Sequence, residues 1–122
     1  MRIGLQLACD PAHLDAFLET ARAADNAGVH SLWVNEGFGH AAFSGLAVLV
    51  RETRSEMLGT SIVNVYSRTP GALSQHFGTI DELSGGRMII GLGASASGVI
   101  ERFHRMPSRP SSATITSSAP TL

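Results

Sequence analysis

A chain of 122 residues, 43% hydrophobic and 16% charged, has the make-up of one globular domain with enough apolar residues for a core. Its formal net charge of −1, without any run of Lys or Arg, argues against a nucleic-acid surface. The single cysteine, Cys9, excludes an internal disulfide and a cysteine-rich zinc site, and no stretch approaches the ~20 apolar residues of a membrane span.

Residues 2–8 read as a first strand. Asp10-Pro11 then starts a helix, because the aspartate caps free amides and proline at the first helical position gives up an N–H that would be orphaned anyway. Leu14, Phe17, Leu18, Ala21 and Ala24 form its apolar stripe, and Gly28 is its stop. Residues 31–34 make a second strand running into Asn35-Glu36-Gly37; a second helix over 41–53 turns Phe43, Leu46, Leu49 and Val50 inward. Residues 58–65 are apolar and β-branched, which suits a strand covered on both faces in a parallel sheet. Thr69-Pro70 repeats the cap-plus-proline start, with Leu73, Phe77, Ile80 and Leu83 as the stripe and Gly85-Gly86 as the stop. Residues 87–92 are the next strand. Strands beginning near positions 2, 31, 57 and 87 are a βα repeat, the signature of an α/β fold with a parallel sheet and right-handed crossovers.

Three stretches, LGTSIVNVYSRTP, DELSGGR and GLGAS, resemble the third strand, third helix and fourth strand of the bacterial-luciferase-like oxidoreductases. Within that family the resemblance is to the branch using the deazaflavin coenzyme F-420, and it covers residues 1–107. It implies a TIM barrel binding a deazaflavin, or FMN as the alternative, at the C-terminal ends of the strands. The chemistry it implies is hydride transfer or monooxygenation of a small organic substrate. Composition, for its part, leads to the expectation of a cytoplasmic protein without nucleic-acid or membrane partners, since no basic region followed by an apolar run opens the sequence.

A TIM barrel has eight strands and typically about 250 residues, so four βα units make a partial barrel. From Ser108 the composition turns to Ser, Thr and Pro, and residues 108–122 are expected to be a disordered tail foreign to the family. The expectation is a truncated chain. The alternatives are a half-barrel that associates with itself or another chain through exposed sheet edges, and an inactive fragment.

In such an architecture ligands collect at the C-terminal ends of the strands, here Cys9, Asn35-Glu36, residues 64–66 and residues 93–97. Each polar residue there also fits simple loop solvation. The resemblance implies a bulge at Ser61-Ile62 with a non-proline cis peptide, Ile62 supporting the cofactor ring; an ordinary buried strand residue is the rival reading. Asn64 offers a donor and an acceptor to the ring's amide edge. Glu36 matches the family's acidic position and is the expected catalytic residue. The histidine that commonly follows it is Gly37 here, and His40 is the nearest substitute.

Residues 91–96 fit a dinucleotide fingerprint, but the acidic residue required about 20 positions later is missing. Gly93, Ala94 and Ser95 therefore read as a close backbone approach to a flavin-type ring, or as tight strand packing. The five histidines show no ligand spacing, so no metal is expected. Cys9, without a base or cation beside it in sequence, reads as a small rim or core residue. Because the cofactor-phosphate loops of such barrels follow the late strands, only weak cofactor binding is expected of this chain alone.

Overall fold

The computed structural model describes residues 1–107, and the expected disordered segment 108–122 lies outside them. The order is β1 (Gly4–Leu7), a 3-10 turn (Pro11–His13), α1 (Leu14–Asn26), β2 (Ser31–Val34), α2 (Ala42–Glu52), β3 (Met57–Thr60) and β4 (Val63–Asn64). It continues with α3 (Pro70–Ser84), β5 (Met88–Ile89), β6 (Leu92–Gly93) and α4 (Ser97–Arg102). Four strands, β1, β2, β3 and β5 in that spatial order, form one parallel sheet, and β4 pairs with β6 in a second parallel ladder. The architecture is the expected run of βα units.

The helix starts follow their capping chemistry. Asp10 accepts from the Ala12 N–H at 2.9 Å ahead of Pro11, and Thr69 accepts from the Ala72 N–H at 3.2 Å ahead of Pro70. Gly28 and Gly85 sit at φ +77° and +71°, the left-handed stop that lacks a Cβ penalty only for glycine. Alternation along the strands separates two faces. Leu7, Leu32, Val34 and Leu58 join Phe17, Leu46, Phe77 and Ile80 in the core under the helices. On the opposite face the Trp33 ring spans the sheet between Gly4 and Gly59, and donates its Nε1–H to Ser31 Oγ at 2.8 Å. A methyl at Gly59 would stand 2.6 Å from that ring.

Leu83 departs from its stripe, at 62% exposed. At 100° per residue it lies about 80° round the helix from Leu73, off the buried arc.

The strands expected over 58–65 and 87–92 are each in two pieces. The cause is one side chain. Thr60, fully buried, donates its hydroxyl to the Gly91 carbonyl and accepts from the Gly91 N–H, both at 2.8 Å, so a side chain replaces a rung of the ladder. Main-chain pairing resumes with Val63 N–H to Gly91 O at 2.9 Å and Val65 N–H to Gly93 O at 3.0 Å. The cis peptide implied at Ser61-Ile62 is not found, because every peptide bond among the described residues is trans. The break is met instead by ordinary hydrogen bonds, including Ser61 N–H to Val34 O at 2.9 Å, and a non-proline cis bond would cost about 3–4 kcal/mol without adding one.

At the opposite, N-terminal end of the sheet, Arg87 gathers helix termini. Its guanidinium donates to the carbonyls of Ser84, Thr53, Ser55 and Val50 at 2.8–3.2 Å, satisfying chain ends that α2 and α3 leave open. Asp25 works beside it, accepting from the Arg54 N–H and the Ser55 hydroxyl at 2.9 and 2.7 Å. Burial pushes the Asp25 carboxyl up, yet those bonds and the Arg87 charge bring it below the usual range.

Candidate functional site

The breaks in β3–β4 and β5–β6 shape the C-terminal rim. Gly91 has no room for a side chain, since a Cβ there would meet the Thr60 carbonyl oxygen at 1.9 Å. Beyond the breaks Ile62 stands half exposed against Gly93, where an added Cβ would come within 2.7 Å of its Cγ2. Ile62 and Gly93 thus form a small apolar ledge. Ser61 is partly buried inside the break.

Asn64, in register with Gly93, is 7% exposed. Its Oδ1 accepts from the Tyr66 N–H at 2.8 Å, which fixes the orientation of the amide. Its Nδ2 is then left without an acceptor. Among the described residues it is the only buried side-chain nitrogen or oxygen in that state. An unpaired buried amide costs about 1–3 kcal/mol, so each such group calls for a physical reason.

Glu36 follows β2 on the same rim, but both its oxygens are occupied. Arg68 grips it with two bonds, Nη1 to Oε1 at 2.6 Å and Nη2 to Oε2 at 2.9 Å, and Oε2 also accepts from the Ala42 N–H at 3.0 Å. The carboxylate therefore caps α2 and anchors Arg68. Arg68 also donates to Ser67 Oγ at 2.9 Å and lies 5.1 Å from the centroid of the Phe43 ring, which stacks on His76. This assembly ties the loops after β2 and β4 to α2 and α3.

The glycine-rich stretch after β6 carries a strained residue. Ser95 has φ +59°, a left-handed conformation costing a non-glycine residue about 1–3 kcal/mol and concentrated at binding sites. Ala94 beside it is exposed. His40 approaches Asp10 at 4.0 Å, and His13 pairs with the same carboxylate at 2.8 Å, holding it below the usual range. The Cys9 thiol is pushed up by burial and by the Asp10 charge, away from the reactive thiolate.

Every residue singled out from the sequence lies along this rim, but they do not converge on one point. Glu36 stands with Arg68, while Ile62, Asn64 and Gly93 form the ledge. Sequence reasoning missed Arg68, whose only signal was a basic residue at the neighbouring strand tip. It also missed Thr60 and the aromatic contact of Phe38 with Phe103. Among the described residues no group of three or more His, Cys, Asp or Glu is placed to hold a metal, and no helix is long and apolar enough to cross a membrane.

The family model for luciferase-like monooxygenases matches residues 1–115, past the boundary at 107. A Mycobacterium tuberculosis protein named as a coenzyme F-420-dependent oxidoreductase is 37% identical over 107 residues, covering 85% of this chain and 30% of its own length. Among solved structures, the coenzyme F-420-dependent tetrahydromethanopterin reductase of Methanopyrus kandleri superposes with a TM-score of 0.68 at 26% identity, over 84% of this chain and 30% of that one. The oxygenating constituent of 3,6-diketocamphane monooxygenase from Pseudomonas putida shares the fold, with a TM-score of 0.72 at 17% identity over 88% and 34% of the two chains. The chain spans about a third of the length of these relatives. With nearly its whole length matched by the family model and its βα units superposing on solved members, the chain belongs to the luciferase-like monooxygenase family.

Proposed function

We propose that the ledge of Ile62, Asn64 and Gly93 binds the tricyclic ring of coenzyme F-420, with FMN as the alternative, in an oxidoreductase acting on a small organic substrate. The observation that carries this reading is Asn64 Nδ2, a buried donor without an acceptor next to an apolar ledge. A ring carbonyl reaching it after a small side-chain shift would offset the cost of the orphaned amide. Bound there, the deazaflavin would supply hydride transfer.

The chain's own part is positional. Ile62 and Gly93 give the ring an apolar backing, and the backbone at Ala94 and Ser95 lies where it can meet the ring's edge. Glu36 is a positioning residue in this reading. With three bonds already made to its carboxylate it holds Arg68 and the first turn of α2, rather than exchanging a proton.

Titration of the purified chain with F-420 and with FMN, followed by ring fluorescence, tests the proposal. Saturable binding is expected, with the buried Asn64 amide contributing about 1–3 kcal/mol to it. Asn64→Ala should weaken it while the chain stays folded, with a small loss in thermal stability from the Tyr66 N–H left without its acceptor. Equal binding by wild type and variant would sink the assignment.

A second reading, a chain that works only after associating with another copy, is favoured by a groove of about 670 Å³ between α3 and the β5–β6 strands. Leu73, Phe77 and Met88 line it together with Ile90 and Leu92, which are 57% and 47% exposed. An apolar channel of that size is a surface suited to burial.

A further inference from the structure

We infer that two copies of this chain close into one eight-stranded barrel about a two-fold axis, the β1 edge of each pairing with the β5–β6 edge of the other. The inference rests on the reading above of a chain that works with another copy, and it names the contact and the residue the partner brings to the ledge. The sheet holds four parallel strands in the order β1, β2, β3, β5, and among the described residues neither β1 nor β5 has a neighbour on its outer side. A closed barrel of this class has eight parallel strands, so two such sheets complete it. Because every strand runs the same way, the β1 edge of one copy continues the β5 edge of the other without reversal. One two-fold axis then makes both seams at once and leaves no open edge.

Barrel geometry fixes the register of the seam. Leu5, Leu32, Leu58 and Met88 share one row across the sheet. A shear of eight residues over eight strands gives each copy a stagger of about four, in the direction set by the right-handed strand twist. That stagger brings the partner's Leu5 beside Leu92 and the partner's Ile3 beside Ile90. Ile3, Ile90 and Leu92 are 54%, 57% and 47% exposed in the single chain, and Ile90 and Leu92 line the apolar groove beside α3. Strand alternation puts all of them on the helix-covered face, so the seam buries apolar against apolar. On the inner face the partner's Gln6 comes beside Gly93, where its amide completes the ledge of Ile62, Asn64 and Gly93. Each copy also supplies one large inner ring, Trp33, flanked by Gly4 and Gly59. Large residues beside small ones are what an eight-stranded interior holds. Two seams and the inner face give each copy roughly 800 Å² to bury, the size of a stable interface.

Disulfide trapping of the full chain tests the closure. With the free Cys9 replaced by serine, Ile3→Cys and Ile90→Cys are introduced together and the protein is oxidised with copper phenanthroline. Within one copy the two positions lie on opposite edges of the sheet, three strand spacings or about 14 Å apart, whereas a disulfide needs Cα atoms within about 7 Å. Across the seam they are direct neighbours at about 5 Å. The expected product is one covalent dimer that a reductant returns to monomer, about ten-fold more abundant than with either single cysteine. Both positions are more than half exposed, so the reduced protein should unfold thermally as wild type does. Equal crosslinking by a single-cysteine variant, or a ladder of higher species, would overturn closure about a two-fold axis. Sedimentation velocity keeps the two readings apart. A dimer that does not crosslink removes this geometry alone, while a chain that stays monomeric removes the association reading with it.

Discussion

The Thr60 hydroxyl and the main chain of Gly91 hold one another twice, the hydroxyl donating to the Gly91 carbonyl and accepting from the Gly91 N–H, both at 2.8 Å. This pair ends the regular ladder of β3 with β5 and sets where Ile62 and Gly93 emerge. Thr60→Val keeps the shape and removes both bonds, so it should cost about 1–3 kcal/mol, chiefly from the Gly91 N–H left unpaired, because the Gly91 carbonyl keeps the Val63 N–H. Gly91→Ala should cost more, because a Cβ 1.9 Å from a backbone oxygen forces the strands apart. Denaturant unfolding of both variants measures this; a Gly91→Ala protein as stable as wild type would contradict the geometry.

Arg87 offers a contrasting case at the other end of the sheet. Its guanidinium bonds four carbonyls drawn from α2, α3 and the approach to β3, a fork that lysine's single ammonium cannot reproduce. Arg87→Lys should lose about 1–3 kcal/mol and Arg87→Ala rather more. Because Arg87 lies at the N-terminal end of its strand, the folded fraction should bind ligands at the rim as before. Thermal unfolding together with the cofactor titration checks both halves of the statement.

These two sites mark what could be read from the chain and what could not. Asp10, Thr69, Gly28 and Gly85 were legible because each acts on amides within a few residues of itself, and short-range chemistry leaves a short-range signature. The core residues Phe17, Leu46 and Phe77 were legible from helical period. Thr60 looked like any β-branched strand residue, since its role depends on Gly91 on the neighbouring strand. The SGGR stretch served as a family mark, yet its arginine acts as a clamp on distant helix ends. Glu36 was found by position, but its pairing with Arg68 joins two strand tips 32 residues apart, a contact that no local pattern announces.

The acid side of stability should depend on Asp25. Its folded-state carboxyl lies below the unfolded value, so its contribution is present above the unfolded pKa of about 3.9 and is lost as pH falls through the folded one. Asp25→Asn should therefore lower stability at neutral pH and flatten its decline below about pH 4. Urea midpoints measured from pH 3 to pH 7 test this. Parallel curves for the two proteins, offset but equally steep in acid, would show that the charge at Asp25 is not the source.

The open groove between α3 and the β5–β6 strands leads to a prediction about association. Ile90 and Leu92 lie there at 57% and 47% exposed beside Met88 and Phe77, and among the described residues no strand pairs with the outer edge of β5. Unpaired edges and uncovered apolar faces favour pairing between chains, as parallel sheets are normally covered on both sides. The chain should thus form dimers or larger species at micromolar concentration. Ile90→Lys places a charge in the groove while touching none of the fully buried core, so it should shift the distribution toward monomer without lowering the unfolding temperature. Sedimentation velocity over a concentration series separates the cases. A wild-type chain that stays monomeric with one sharp unfolding transition would count against the groove as a self-association surface, and unchanged association in Ile90→Lys would move the contact to another face.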